Sequence, residues 1–222
     1  MERVVLISDI DTELGMNLLK QYYANHCKII GTSTTAVNNL DISEFNTEYV
    51  EIVPWNRISP VGAKNVLIKG ITRFREIQEV LILQTAGFIS SQLTGLSVLE
   101  IEQCIDMWSK GTCFLVREVL GHLQQQNRGC ISLVNNVYYK DNDAVSPLRD
   151  ILEAGFKALA KNLLQLSKES QITINCFEST TIHSDKFSEY IYKTNTERTG
   201  KLSGRTFSYH DKKFFLAGIR NN

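Results

Sequence analysis

The feature that most constrains this chain is its alternation between two hydrophobic periods. Short runs rich in Val, Ile and Leu recur at Arg3–Ile7, Lys28–Gly31, Tyr49–Val53, Glu79–Leu83, Cys130–Val134, Ile172–Phe177 and Phe214–Ile219. Most are unbroken apolar stretches, the pattern of strands covered on both faces. Between them lie longer segments with a 3.6-residue period. Gly15–Ala24 carries Leu18, Leu19, Tyr22 and Tyr23, and Val61–Phe74 follows a Ser59-Pro60 start signal. Val98–Gln126 reads as one long helix or two abutting ones, and Pro147–Ser167 carries the stripe Ile151, Leu152, Phe156, Leu159 and Leu163. Strand–helix alternation predicts an α/β fold: a doubly wound, mostly parallel sheet of about seven strands, with helices on both faces and right-handed crossovers. No repeat or low-complexity tract divides the 222 residues, and three prolines and thirteen glycines leave little for a linker. Residues 1–222 therefore read as a single domain. The polar stretch 180–205 reads either as a lid or insertion over the carboxyl edge of the sheet, where ligands bind in such folds, or equally as an ordinary excursion with a short surface helix.

Several function classes are disfavoured at this stage. Lys plus Arg is 24 and Asp plus Glu is 24, so a neutral chain has no general pull toward nucleic acid or an anionic membrane. The apolar run Val4–Ile7 is too short for a signal peptide and is closed by Asp9 and Asp11. No segment approaches the ~18 apolar residues of a membrane helix, so the expected location is the cytoplasm. Five cysteines (27, 104, 113, 130 and 176) include no CxxC pair and read as free thiols in a reducing compartment. The four histidines (26, 122, 183 and 210) lack metal-ligand spacing, so no metal is expected. Arg198, Lys201, Arg205, Lys212 and Lys213 form a mildly basic tail, read as solvated surface.

An ordered series of segments resembles the short-chain dehydrogenase/reductase family, a Rossmann-fold family, over nearly the whole chain. Val5–Gly15 (VLISDIDTELG) resembles the first strand and its TGxxxGxG turn, and Leu81–Gly87 (LILQTAG) the fourth strand with its NNAG turn. Ile105–Phe114 (IDMWSKGTCF) is similar to the segment bearing the catalytic Asn. Gly129–Asn136 (GCISLVNN) resembles the strand ending in the catalytic Ser, and Leu152–Leu163 the helix that begins with YxxxK. Ile172–Phe177 resembles the sixth strand, and Leu202–Ser208 the lead into the last one. The resemblance implies a Rossmann-like sheet, a nicotinamide dinucleotide and hydride transfer.

The matching positions depart from that chemistry. In the nucleotide loop Ser8 takes the Thr position, Asp9 the first Gly, Glu13 the second and Gly15 the third, so one glycine survives. Glycines there let backbone N–H groups approach a pyrophosphate at a helix N-terminus. Here Asp9, Asp11 and Glu13 stand instead, read as caps and dipole partners that supply the anion from the chain itself. Two like charges ~5 Å apart repel by ~3 kcal/mol at an effective dielectric of ~20. No cofactor is therefore expected, and NAD(P) would bind only if this charge argument fails. The second-strand end, Gly31-Thr32-Ser33-Thr34-Thr35, offers neither an acid to a ribose nor an Arg to a 2′-phosphate. The fourth-strand turn reads Gln84-Thr85-Ala86-Gly87. The resemblance places Leu148 at the acid/base Tyr, Leu152 at the Lys, Asn136 at the Ser and Trp108 at the Asn. Leucine transfers no proton, so no catalytic residue is assigned.

In the family, helices corresponding to 98–126 and 147–167 pack against a partner's. Ile151, Leu152, Ala154, Phe156, Ala158, Leu159 and Ala160 make the second of these apolar on more than one face, which predicts a homodimer or tetramer through these two helices. The expectation is a non-catalytic relative acting as oligomeric partner, scaffold or regulatory subunit, with hetero-association with an active relative as a further option. The alternative is an NAD(P)-dependent oxidoreductase or small-ligand sensor using the same crevice with non-standard residues such as Ser8, Gln84, Thr85, Asn136 and Tyr138.

Overall fold

The computed structural model describes residues 2–36, 39–84, 92–136, 146–198 and 202–210. Seven strands form one sheet in which every pairing is parallel: β1 (Val4–Ile7), β2 (Lys28–Ser33), β3 (Val50–Pro54), β4 (Glu79–Gln84), β5 (Cys130–Asn136), β6 (Thr173–Ser179) and β7 (Arg205–Tyr209). Their order is β3-β2-β1-β4-β5-β6-β7. The order reverses between β1 and β4, which opens a crevice outside their carboxyl ends. Burial explains the unbroken apolar runs. Val5, Leu6, Ile7, Leu81, Ile82 and Leu83 are all fully buried between two helical layers.

One layer holds α2 (Pro60–Phe74), α4 (Gly111–Gln126) and α5 (Pro147–Leu166), whose Val66, Leu115, Val119, Phe156 and Leu163 meet Leu6, Ile82 and Leu133. The other holds α1 (Glu13–Ala24) and α6 (Ser184–Arg198), whose Leu18, Leu19, Phe187 and Ile191 meet Val5, Ile7, Leu81 and Phe177. Local chemistry sets the starts. Ser59 and Ser146 cap α2 and α5, each followed by Pro at the first helical position. The expected long helix is continuous but not uniform. α3 (Val98–Cys104) opens with a Ser97/Glu100 capping box and passes through a π-helical turn, Ile105–Lys110, into α4.

The stretch 180–205 carries α6, the β6–β7 crossover packed beside α1. It is polar because its inner face includes Ser188, Thr194 and Asn195, buried polar residues that a hydrophobic pattern does not register. The seventh strand is Arg205–Tyr209, read earlier only as its lead-in. Phe214–Ile219 lies outside the described residues. Among the described residues, no helix is long and apolar enough to cross a membrane, and no group of three or more His, Cys, Asp or Glu stands where it could hold a metal ion.

Candidate functional site

The carboxyl ends of β1, β2 and β3 gather the loop that follows β1. Ser8 follows β1, its Oγ accepting from Leu83 N (2.8 Å) and donating to Asp9 Oδ2 (2.7 Å). Asp9 follows at φ 55°, a left-handed conformation that Asp tolerates better than most residues, and its N–H donates to Thr32 Oγ1. The chain then turns into α1. Gly15 survives for a steric reason. A Cβ there would lie 2.1 Å from Asp9 O, so the helix passes against the loop backbone at a distance that only glycine permits.

The three acidic side chains lie near one another, but none caps α1. The cap is Thr12, whose Oγ1 accepts from Gly15 N (3.1 Å) and donates to Asp9 O (2.7 Å). Glu13 reaches sideways and accepts from Ser184 Oγ (2.6 Å), joining the start of α6 to α1. Asp11 turns to the second-strand end, where its Oδ2 accepts from Thr34 N (2.9 Å), Thr34 Oγ1 (2.8 Å) and Thr35 N (3.1 Å). The donors of that loop therefore already hold an anion, supplied by the chain.

Asp9 corrects the charge argument most sharply. Its Oδ1 is ion-paired with Arg57 NH1, both side chains being almost wholly buried. Arg57 follows β3, and its guanidinium lies between two indoles, 4.3 Å from the ring centres of Trp55 and Trp108. Its remaining donors reach Met107 O (3.0 Å) and Thr112 Oγ1 (3.2 Å). The π turn presents Met107 O to this bond, and Gly111 lets α4 approach, since a Cβ there would lie 2.8 Å from Arg57 Cβ and O. Burial pushes the Asp9 carboxyl above its usual range, with Arg57 and Ser8 opposing. The pair is close to neutral from outside, so Asp9 contributes little to the repulsion of a phosphate.

The matched catalytic positions do not form a proton-transfer set. Trp108 is half-buried and stacked on Arg57. Asn136 ends β5, its Nδ2 donating to Thr181 O at 3.4 Å. Leu148 and Leu152, each 2% exposed, face inward from the first turns of α5. Gln84 ends β4 at 3% exposure, and among the described residues neither its Oε1 nor its Nε2 has a hydrogen-bond partner. Thr85, Ala86, Gly87 and Tyr138 lie outside the described residues. A Tyr-x-x-x-Lys spacing does occur at Tyr209 and Lys213. Tyr209 ends β7, however, with its ring against Phe187 and Tyr190 rather than on the first turn of α5.

Two features were missed in the sequence. Arg57 is one; the other lies at the amino end of β4. Buried Glu79 is ion-paired with Arg3 and accepts from Tyr22 OH (2.6 Å) and Asn195 Nδ2 (2.7 Å), and Asn195 also reaches Ser132 Oγ (2.9 Å). Burial raises the Glu79 carboxyl, with Arg3 opposing, and burial beside Glu79 holds the Tyr22 phenol well above its usual value. This cluster joins β1, α1, β4, β5 and α6 at the edge opposite the crevice.

No protein-family model matches the chain, and no curated protein sequence matches it significantly. Solved structures do. A short chain dehydrogenase from Bacillus anthracis str. 'Ames Ancestor' superposes with a TM-score of 0.79 at 15% identity, covering 93% of this chain and 94% of that one. A short chain dehydrogenase from Mycobacterium smegmatis superposes with a TM-score of 0.76 at 12% identity, covering 96% and 93%. The chain has the Rossmann-like fold of these enzymes.

Proposed function

We propose that this protein is a non-catalytic relative of short-chain dehydrogenases that acts through association, as an oligomeric partner, scaffold or regulatory subunit. The observation that carries this reading is the leucine pair on α5. The sequence resemblance puts Leu148 and Leu152 at the family's proton donor and its lysine, and both side chains are packed into the core. A buried leucine neither transfers a proton nor holds a charge. The dinucleotide's place fits poorly as well. Asp11 takes the donors of Thr34 and Thr35, and Arg57 lies stacked between Trp55 and Trp108.

Association is supported by the outer surface of α3 and α5. Val98 is 73% exposed, Leu99 61% and Ile151 59%, beside exposed Ala154 and Ala158. A Cβ at Gly121 or Gly155 would meet nothing, so a partner helix has room to approach closely. These surfaces suit an isologous homodimer or tetramer, or pairing with an active relative. Light scattering after size exclusion tests this: a dimer or tetramer is expected, and Ile151→Glu should shift it toward monomer. A monomeric parent removes the interface. Assays for NAD(P)H oxidation over a panel of carbonyl substrates should stay at the buffer rate, and turnover would overturn the non-catalytic reading.

One observation favours a second reading, a small-ligand sensor. Gln84 and Asn136 at the crevice keep amide atoms without hydrogen-bond partners among the described residues, and such atoms are costly to bury unless something meets them. A thermal-shift screen of neutral polar metabolites separates this reading from the first.

A further inference from the structure

We propose that the groove between α5 and the carboxyl ends of β5, β6 and β7 binds a small organic ammonium ion. This groove lies on the α5 face near the β7 edge, apart from the β1/β4 crevice, and it does not depend on the association proposed above. It encloses about 140 Å³, with Asn135, Glu153, Lys157, Glu178, Ser208 and His210 among its lining residues.

Three features point to a donor-only cation. Asn135 is 2% exposed, and its Oδ1 is buried with no hydrogen-bond partner among the described residues, so an acceptor in the wall of the groove meets no donor from them. Native proteins rarely leave such an atom unmet. The charges are unequal. Lys157 is bound to Glu153 at 2.5 Å one turn away on α5, which consumes its positive charge. Glu178 acts on Lys157 through space but makes no ion pair among the described residues, so the groove carries a surplus carboxylate. The hydroxyls of Ser179 and Ser208 turn to either role. An alkylammonium presents three donors, no acceptor and one positive charge, which matches this set. A carboxylate or phosphate would meet Glu178 with like charge. An alcohol would leave that charge uncompensated. The volume is that of four or five waters at ~30 Å³ each, enough for a chain of about five heavy atoms.

The test uses n-butylamine as probe in an amine-free buffer at about pH 8. Calorimetry should give saturable one-site binding, and thermal unfolding should shift upward with amine concentration. n-Butanol and butyrate at equal concentration should give neither. Glu178→Gln should weaken binding about tenfold or more while leaving the unliganded unfolding temperature unchanged. Amide chemical-shift changes in the parent protein give a readout that needs no variant, and they should centre on Asn135, Glu178 and Ser208. Absence of saturation to about 20 mM, equal binding of n-butanol, unchanged affinity in Glu178→Gln, or shift changes confined to other residues would each overturn the site.

Discussion

Arg57→Met asks directly whether the buried ion pair replaces the glycine-rich phosphate loop of this fold as a structural element. The Arg57 and Asp9 side chains are 1% and 2% exposed, so water screens neither. Deleting the guanidinium leaves a carboxylate with Ser8 Oγ as its one side-chain partner, a loss that usually costs about 3–5 kcal/mol. Methionine keeps apolar contact with Trp55 and Trp108, so the loss is mainly electrostatic. For a domain of this size the melting temperature should fall by about 6–20 °C, at ~2–4 °C per kcal/mol. The pH dependence carries the sign. Burial already raises the folded-state value of Asp9, so its contribution to stability is fully present below the unfolded value of ~3.9 and is lost as pH rises through the folded value. Removing Arg57 raises that value further. The penalty should therefore be smaller at about pH 5 than at about pH 7, changing by at most ~1.4 kcal/mol per pH unit. Asp9→Asn combined with Arg57→Met should recover most of the loss, because a buried pair replaced on both sides is often near neutral. Urea unfolding at the two pH values measures all of this. A single variant within about 1 kcal/mol of the parent, or a penalty that grows on acidification, would refute the account of the pair.

Gly15→Ala should cost about 3 kcal/mol or more by urea unfolding, because its Cβ would meet the Asp9 carbonyl at 2.1 Å and backbone cannot yield; a neutral result would contradict the close passage of α1. Tyr22→Phe removes a donor to the buried Glu79 carboxylate and should destabilise by about 1.5–3 kcal/mol; a loss below about 0.5 kcal/mol would mean the cluster adds little. Burial pushes the Cys27 thiol up to about 11 and those of Cys130 and Cys176 up to about 12, whereas Cys113 is exposed. Iodoacetamide at about pH 8 should therefore modify Cys113 in the native protein and reach the other three only on unfolding, as read by mass spectrometry. Fast labelling of Cys130 would contradict the packing of β5.

Elements were legible where the signal is local. Most of the first six strands announce themselves as apolar runs because both of their faces are covered. Ser59-Pro60 marks the start of α2 through capping chemistry that depends on adjacent residues. The surviving Gly15 was legible as the third glycine of the loop because helix–strand closeness is the same requirement with or without a cofactor. Arg57 was not legible. Nothing near residue 57 states that Trp108, from a turn fifty-one positions later, will close over its guanidinium, and unpaired Asp9 therefore looked repulsive. Glu79 was hidden in the same way, since Arg3, Tyr22 and Asn195 meet it from three other elements. α6 was obscured because three of its inward residues are polar and resemble surface until their partners are known.

The proposal that the crevice no longer takes a dinucleotide is tested by calorimetric titration with NADH and NADPH at low ionic strength. Asp11 on the Thr34 and Thr35 donors and the Arg57 stack predict no saturable heat up to about 1 mM of either nucleotide. A micromolar dissociation constant for either would contradict the account and return the chain to the oxidoreductases whose fold it shares.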